Sequence, residues 1–187
     1  LGLGKSMRLE HLPSGFKEGL FRRLSKVQLA NPRQTASALM GLKRIGFRWD
    51  SLDNSTRREL EKSIECIWNG GENAYYSGAL SETIGQRSKD KRTVEQSLAN
   101  IVWSLGSMDV YWEDLSIEAR EALMLSIGNV APILKVQGLS NVLFGLAKMK
   151  CSSDSLSRQC IMGLLSSFRR LGPSLGPQAL SNCIWAL

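Results

Sequence analysis

Gln137–Met149, QGLSNVLFGLAKM, decides the fold, because the chain says nearly the same thing three more times. Gln96–Met108 reads QSLANIVWSLGSM, Gln178–Leu187 reads QALSNCIWAL, and Arg33–Ile45, RQTASALMGLKRI, is a worn copy. The first residue of each copy is counted as position zero. Leu then stands at position two (Leu98, Leu139, Leu180, with Thr35 in the worn copy) and Asn at four (Asn100, Asn141, Asn182, with Ser37). A large side chain stands at seven (Trp103, Phe144, Trp185, with Met40) and Leu at nine (Leu42, Leu105, Leu146, Leu187). Apolar residues at two, five, six, nine and twelve share one face of an α-helix and do not alternate as a strand's would. Each copy is therefore a predicted helix, called helix A.

A second pattern follows the first. Nineteen residues into each unit comes Leu52, Leu115 or Leu156; eight further on stand Leu60, Leu123 and Leu164, and four beyond those Ile64, Ile127 and Phe168. Spacings of four and eight give a second helical face, helix B. The starts at 96, 137 and 178 lie 41 residues apart, whereas 33 to 96 is 63, one unit plus 22 residues. Two helices in every 41 residues predict an all-α fold, an α-solenoid of helix-turn-helix units with a 22-residue insertion in the first full unit. The chain divides into a partial unit at 1–32, a unit at 33–95 with its insertion near 65–93, units at 96–136 and 137–177, and the start of another at 178–187.

Signals between the helices agree with that division. Residues 9–24 read as a first helix B with Pro13 and Ser14 at its start. Asn31-Pro32 closes a turn, Gly46 suits a helix C-cap, and Pro132, Pro173 and Pro177 break later turns. Trp49 and Trp112 stand at the same place just before helix B and are expected to pack the A–B connection. The 22-residue excess falls between Ile64 and Thr93, with a helical stretch expected over Asn73–Ile84 and a basic segment, GQRSKDKRT, from Gly85. The recurring Leu105, Leu146, Trp103, Phe144, Leu123 and Leu164 are expected to point inward. Leu1–Lys5, LGLGK, matches the late part of helix A, FGLAK, so the chain is expected to be a window of a longer array.

Composition narrows the function. The 187 residues are 43% hydrophobic and 22% charged, with no apolar run long enough to span a bilayer. One histidine, His11, cannot build a Ser–His–Asp or Cys–His site. No metal-ligand spacing, Walker loop or dinucleotide fingerprint is present, so neither an enzyme nor a cofactor is expected. Cys160 and Cys183 fall on apolar helical positions, where reduced core thiols are expected.

Charge points to a polyanion. The net charge is +7, and residues 1–62 hold 13 Lys and Arg against 6 Asp and Glu, while residues 63–187 hold 11 against 11. Arg22, Arg23, Arg33, Lys43 and Arg44 in the first units, and Arg87, Lys89, Lys91 and Arg92 in the insertion, are the candidate phosphate contacts. The candidate polar face is Gln34, Ser37, Gln96, Ser97, Asn100, Gln137, Asn141, Lys148, Gln178 and Asn182. A residue repeated in every unit cannot tell one base from another. The constant Gln and Asn are thus expected to bond structurally or to touch phosphate and ribose. Base choice falls to the varying positions one (Gln34, Ser97, Gly138, Ala179) and eleven (Arg44, Ser107, Lys148). Gly138 and Gly145 are expected to leave room for a backbone or a base to approach closely.

QSLANIVWSLGSM, KVQGLSNVLFGLAKM and GPQALSNCIWAL together resemble the octotricopeptide-type repeats and the related heptatricopeptide repeats, which occur beside RAP domains in organellar proteins. Trp103, Trp185 and the three Asn residues carry the resemblance. It implies an α-solenoid that binds organellar RNA, in RNA processing, stability or translation, or that contacts rRNA in a mitochondrial ribosome. The implied compartment is the mitochondrion, with the plastid as the alternative, and the implied partners are RNA and ribosomal or other proteins. The 41-residue spacing is longer than the unit that names the family, and no RAP-like segment is present. The alternative reading is a protein-interaction scaffold using the solenoid's concave surface.

Overall fold

The computed structural model describes residues 12–13, 15–27, 29, 31–69 and 87–186, and the side chains of 67–69 and 87–93 lie outside that description. Among the described residues the regular elements are all helical: α1 (Phe16–Leu24), α2 (Pro32–Ile45), α3 (Asn54–Asn69), α4 (Arg87–Ser107), α5 (Ile117–Val130), α6 (Val136–Lys148), α7 (Arg158–Leu171) and α8 (Pro177–Ala186). Short 3-10 turns at Trp49–Ser51, Trp112–Asp114, Ala131–Ile133, Ser153–Ser155 and Gly172–Ser174 link them. The protein is all-α.

The helices form two layers. α2, α4, α6 and α8, the A helices, each pack on the next, and α1, α3, α5 and α7, the B helices, do the same. That arrangement is compatible with an α-solenoid. Leu42, Leu105 and Leu146 from one layer meet Leu60, Leu123 and Leu164 from the other in a single core. Burying each such Leu stabilises the fold by about 1.5–3 kcal/mol. Trp103 and Phe144 depart from the expected burial, for both are half-buried.

The same joints recur at the same positions. The residue thirteen places into each unit is left-handed: Gly46 (φ 100), Asp109 (φ 57) and Lys150 (φ 55). The left-handed residue ends helix A and turns the chain toward the other layer. The Trp49 N–H then donates to the Met108 carbonyl at 2.9 Å, and the Trp112 N–H to that of Met149 at 2.7 Å. Both indoles are only 2% exposed, so they pack the A–B connection as expected. At position twenty stand the N-caps of the B helices. Thr56 N–H donates to Asp53 Oδ1 at 2.8 Å, Ala119 N–H to Ser116 Oγ at 3.2 Å, and Cys160 N–H to Ser157 Oγ at 3.2 Å. Each cap satisfies one of the four orphan donors at a helix start. Asn31 caps α2 in the same way, with Pro32 behind it.

Two boundaries differ from expectation. α1 starts at Phe16, after Gly15 at φ 82, and so lies beyond Pro13 and Ser14. α4 starts at Arg87, nine residues ahead of Gln96, so the Arg87–Thr93 segment expected in the insertion forms the first turns of an A helix. Leu1–Lys5, His11, the Asn73–Ile84 stretch and the rest of the insertion from 70 to 86 lie outside the described residues.

Candidate nucleic-acid interface

Successive residues of a helix are turned by about 100°, so positions zero, four, seven and eleven share an arc of about 60°. That arc is opposite to positions two, five, six and nine, which face the core in α2, α4 and α6. On α2 it holds Arg33, Ser37, Met40 and Arg44; on α4, Gln96, Asn100, Trp103 and Ser107; on α6, Gln137, Asn141, Phe144 and Lys148. Gln178, Asn182 and Trp185 continue it on α8. None of these fifteen residues is buried. They form the outer face of the A layer, which explains why Trp103 and Phe144 are not core residues.

Clefts open along this face between neighbouring A helices. The one between α2 and α4 is about 320 Å³ and is lined by Arg33, Ser37, Met40, Gln96, Ser97 and Asn100, with Ala36 at its floor. The next, between α4 and α6, is about 230 Å³ and takes Gln96, Asn100, Gln137 and Asn141 together with Lys135 and Gly138. At its edge the buried Glu95 carboxylate accepts the Lys135 N–H at 3.1 Å and ties the start of α6 to α4. The side-chain amides of Gln96, Asn100, Gln137 and Asn141 have no hydrogen-bond partner among the described residues. In α8 the same pair is locked: Gln178 Nε2 donates to Asn182 Oδ1 at 3.0 Å, and Asn182 Nδ2 to Ser140 Oγ at 3.2 Å. The constant Gln and Asn are thus structural in α8 and open in α4 and α6.

A row of rings and cations crosses the same face. Lys43 Nζ lies 4.4 Å from the Trp103 ring centre, reaching from α2 to α4. The Phe144 and Trp185 rings are 5.2 Å apart at 39°, and Lys148 Nζ stands 5.9 Å from the first and 5.6 Å from the second. The sequence reading missed this row by assigning large apolar side chains to the core. The signal was present, since zero, four, seven and eleven have helical spacing of their own.

Position one does not face a ligand in every unit. Gln34 is exposed, Ala179 is half-buried, and Ser97 and Gly138 are buried. Position one is turned toward the neighbouring A helix, and Ser97 and Gly138 line the clefts on either side of α4. The room at Gly138 and Gly145 is already filled. A methyl group at Gly138 would run into the Glu95 carboxylate, and one at Gly145 into the Val102 backbone carbonyl. Both glycines let helices approach, not a ligand. Position eleven remains open, with Arg44 and Lys148 exposed and Ser107 half-buried.

The basic residues converge in part. Arg33 lines the first cleft at the start of α2, Lys43 and Arg44 stand in the last turn of that helix, and Lys148 in the last turn of α6. Arg22 and Arg23 stand in the last turn of α1, in the other layer, so they are not on this face. Arg87, Lys89, Lys91 and Arg92 ride on the first turns of α4, and their side chains are outside the described residues.

The cysteines are free thiols, with Cys160 and Cys183 buried. Burial pushes Cys151 up to about 12 and Cys160 up to about 11, and raises Cys183. Thiolate is the reactive form, so these groups are poor nucleophiles at neutral pH. No group of three His, Cys, Asp or Glu side chains suited to a metal occurs among the described residues. No described helix is long and apolar enough to cross a membrane. Compared with protein-family models, curated proteins and solved structures, the chain finds no match in any of the three.

Proposed function

We propose that the chain is an α-solenoid with a 41-residue period and a 22-residue insertion in its 33–95 unit, and that it binds single-stranded or irregular organellar RNA along the outer face of its A layer. The recurrence of left-handed joint, inter-unit Trp N–H bond and N-cap at fixed positions supports the repeat. The binding reading rests on one observation. Four amides without a partner among the described residues, Gln96, Asn100, Gln137 and Asn141, line successive clefts in continuity with Arg33. Amides both donate and accept, as base edges and ribose hydroxyls require. Guanidinium and ammonium groups at one end of the row suit the phosphates between them. The mitochondrion as compartment, rRNA as one form of the ligand, and the absence of catalysis are part of the same proposal and rest on the repeat's resemblance and its charge.

The test is binding of short RNAs across a salt series. Each phosphate neutralised adds about 0.7 to the logarithmic salt slope for a single strand. Replacing Arg87, Lys89, Lys91 and Arg92 together flattens that slope and weakens all sequences alike, because phosphate contacts position without specifying. Salt-insensitive or undetectable RNA binding would replace this reading by the protein scaffold. One observation favours the scaffold: an apolar groove of about 560 Å³ between α6 and α7, lined by Leu143, Leu156, Ile161, Leu165 and Phe168. It lies away from the amide row.

A further inference from the structure

We propose that Trp103 and the Phe144–Trp185 pair are stacking platforms for nucleobases, and that Lys43 and Lys148 cover them in the free protein and pass to the phosphates when RNA binds. The inference rests on the RNA reading above and adds to it a set of residues and a motion.

Solvent contact comes first. Trp103 is half-buried on the outer face, and on α8, the last described helix, Trp185 is 57% exposed beside Ile184 at 62%. Trp103 and Trp185 stand at one position of their A helices, in the same arc as the open amides. A planar π-face beside unpartnered donors and acceptors is the arrangement that recognises an unpaired base, ring against ring and edge against amide.

The lysines are the second observation. Lys43 reaches across the helix junction, 4.4 Å from the Trp103 ring centre, and Lys148 stands within 6 Å of both rings of the second platform. Each ammonium therefore lies over a surface that a base would take. A lysine–ring contact in solvent is weaker than a base stacked on an aromatic ring. A four-carbon stem lets the ammonium leave without moving the backbone, and a strand whose base has displaced it offers a phosphate nearby. The Phe144 and Trp185 rings already touch at 5.2 Å, so no base enters between them. The base takes the face that Lys148 leaves.

The test compares an RNA oligomer with its abasic counterpart, which keeps the phosphates and riboses and lacks the rings. Trp103→Leu is expected to lower affinity for the intact RNA roughly five- to a hundred-fold and to leave abasic binding unchanged. Lys43→Gln is expected to weaken intact and abasic RNA alike and to reduce the salt slope by about 0.7. Circular dichroism checks the fold of each variant. If Trp103→Leu unfolds, Trp185→Leu carries the same comparison at the second platform. Equal losses on intact and abasic RNA, or no loss with either Trp variant, would overturn the platforms while leaving RNA binding intact. Wild-type protein that binds neither oligomer, or binds only protein, would overturn the RNA reading and the platforms with it.

Discussion

The α2–α4 and α4–α6 junctions are built from the same pattern and close differently. Between α4 and α6, glycines bring the backbones together. A methyl group at Gly106 would lie 2.6 Å from the Gly145 carbonyl oxygen and 2.8 Å from Lys148 Cβ. Between α2 and α4 the residue matching Gly106 is Lys43, whose ammonium lies over Trp103. The residue matching Gly145 in this junction is Ser104, whose side chain is buried. The Gly106–Gly145 pair of one junction is thus Lys43 and Ser104 in the other, and a close backbone contact gives way to a cation over a ring.

What the junctions share gives the largest expected effect. Leu146 lies in the core beneath α6 and is 5% exposed, so Leu146→Ala is expected to cost about 2–5 kcal/mol in urea unfolding. Lys148→Ala, two residues on and exposed, stays within about 0.5 kcal/mol. Equal losses would mean that the inner and outer faces of α6 are wrongly assigned.

The difference between the junctions is tested next. Gly145→Ala forces a side chain against the Val102 backbone and is expected to cost about 1–3 kcal/mol. Gly41→Ala, at the same repeat position in α2, meets nothing within 4 Å among the described residues and is expected to gain about 0.5–1 kcal/mol. Thermal melts of the two variants read both signs. A stabilised Gly145→Ala protein would remove the closed junction from the account.

Caps probe the regularity of the other layer. Ser116→Ala and Ser157→Ala each remove an N-cap hydrogen bond of 3.2 Å and are expected to cost about 1 kcal/mol apiece. A loss at only one of them would break the equivalence of α5 and α7.

The smallest effect concerns a carboxyl where α3 meets α5. Burial raises the Glu61 pKa above its ordinary 4.5, although its Oε1 accepts the Ser116 N–H at 3.3 Å. A carboxyl with a raised folded-state value holds its proton more tightly when folded. Stability therefore falls as pH rises from about the unfolded value through the folded one. Glu61→Gln keeps an acceptor for Ser116, and its stability is expected to be flatter across the acid range and slightly higher at neutral pH. An unchanged pH profile would mean that burial of Glu61 has no energetic consequence.

Much of this molecule was legible in its sequence, and the particulars show why. Leu recurring at positions two and nine placed every described A helix, because 3.6-residue spacing is a local property. Gly46 announced its left-handed joint, whereas Asp109 and Lys150 adopt the same joint without a glycine and could be placed only by analogy. Trp49 and Trp112 were read correctly as packing residues, but Trp103 and Phe144 were not. Hydrophobicity alone assigns a ring to the core, and the lysine over Trp103 comes from a different helix, 60 residues earlier. Gly138 and Gly145 were legible as close-approach positions, yet what approaches is a tertiary fact. The start of α4 at Arg87 was hidden because the basic segment lacks the apolar spacing that marks helix A from Gln96 onward.

The outer face of the A layer as the RNA surface is tested most directly by mapping where RNA touches the protein. Photo-crosslinking of a 4-thiouridine RNA, followed by mass spectrometry of the digested protein, reads the contacts residue by residue. The account predicts adducts on the Arg33–Arg44, Gln96–Trp103 and Gln137–Lys148 peptides, lost on addition of unlabelled RNA. Adducts confined to α5 and α7, or none above background, would contradict it.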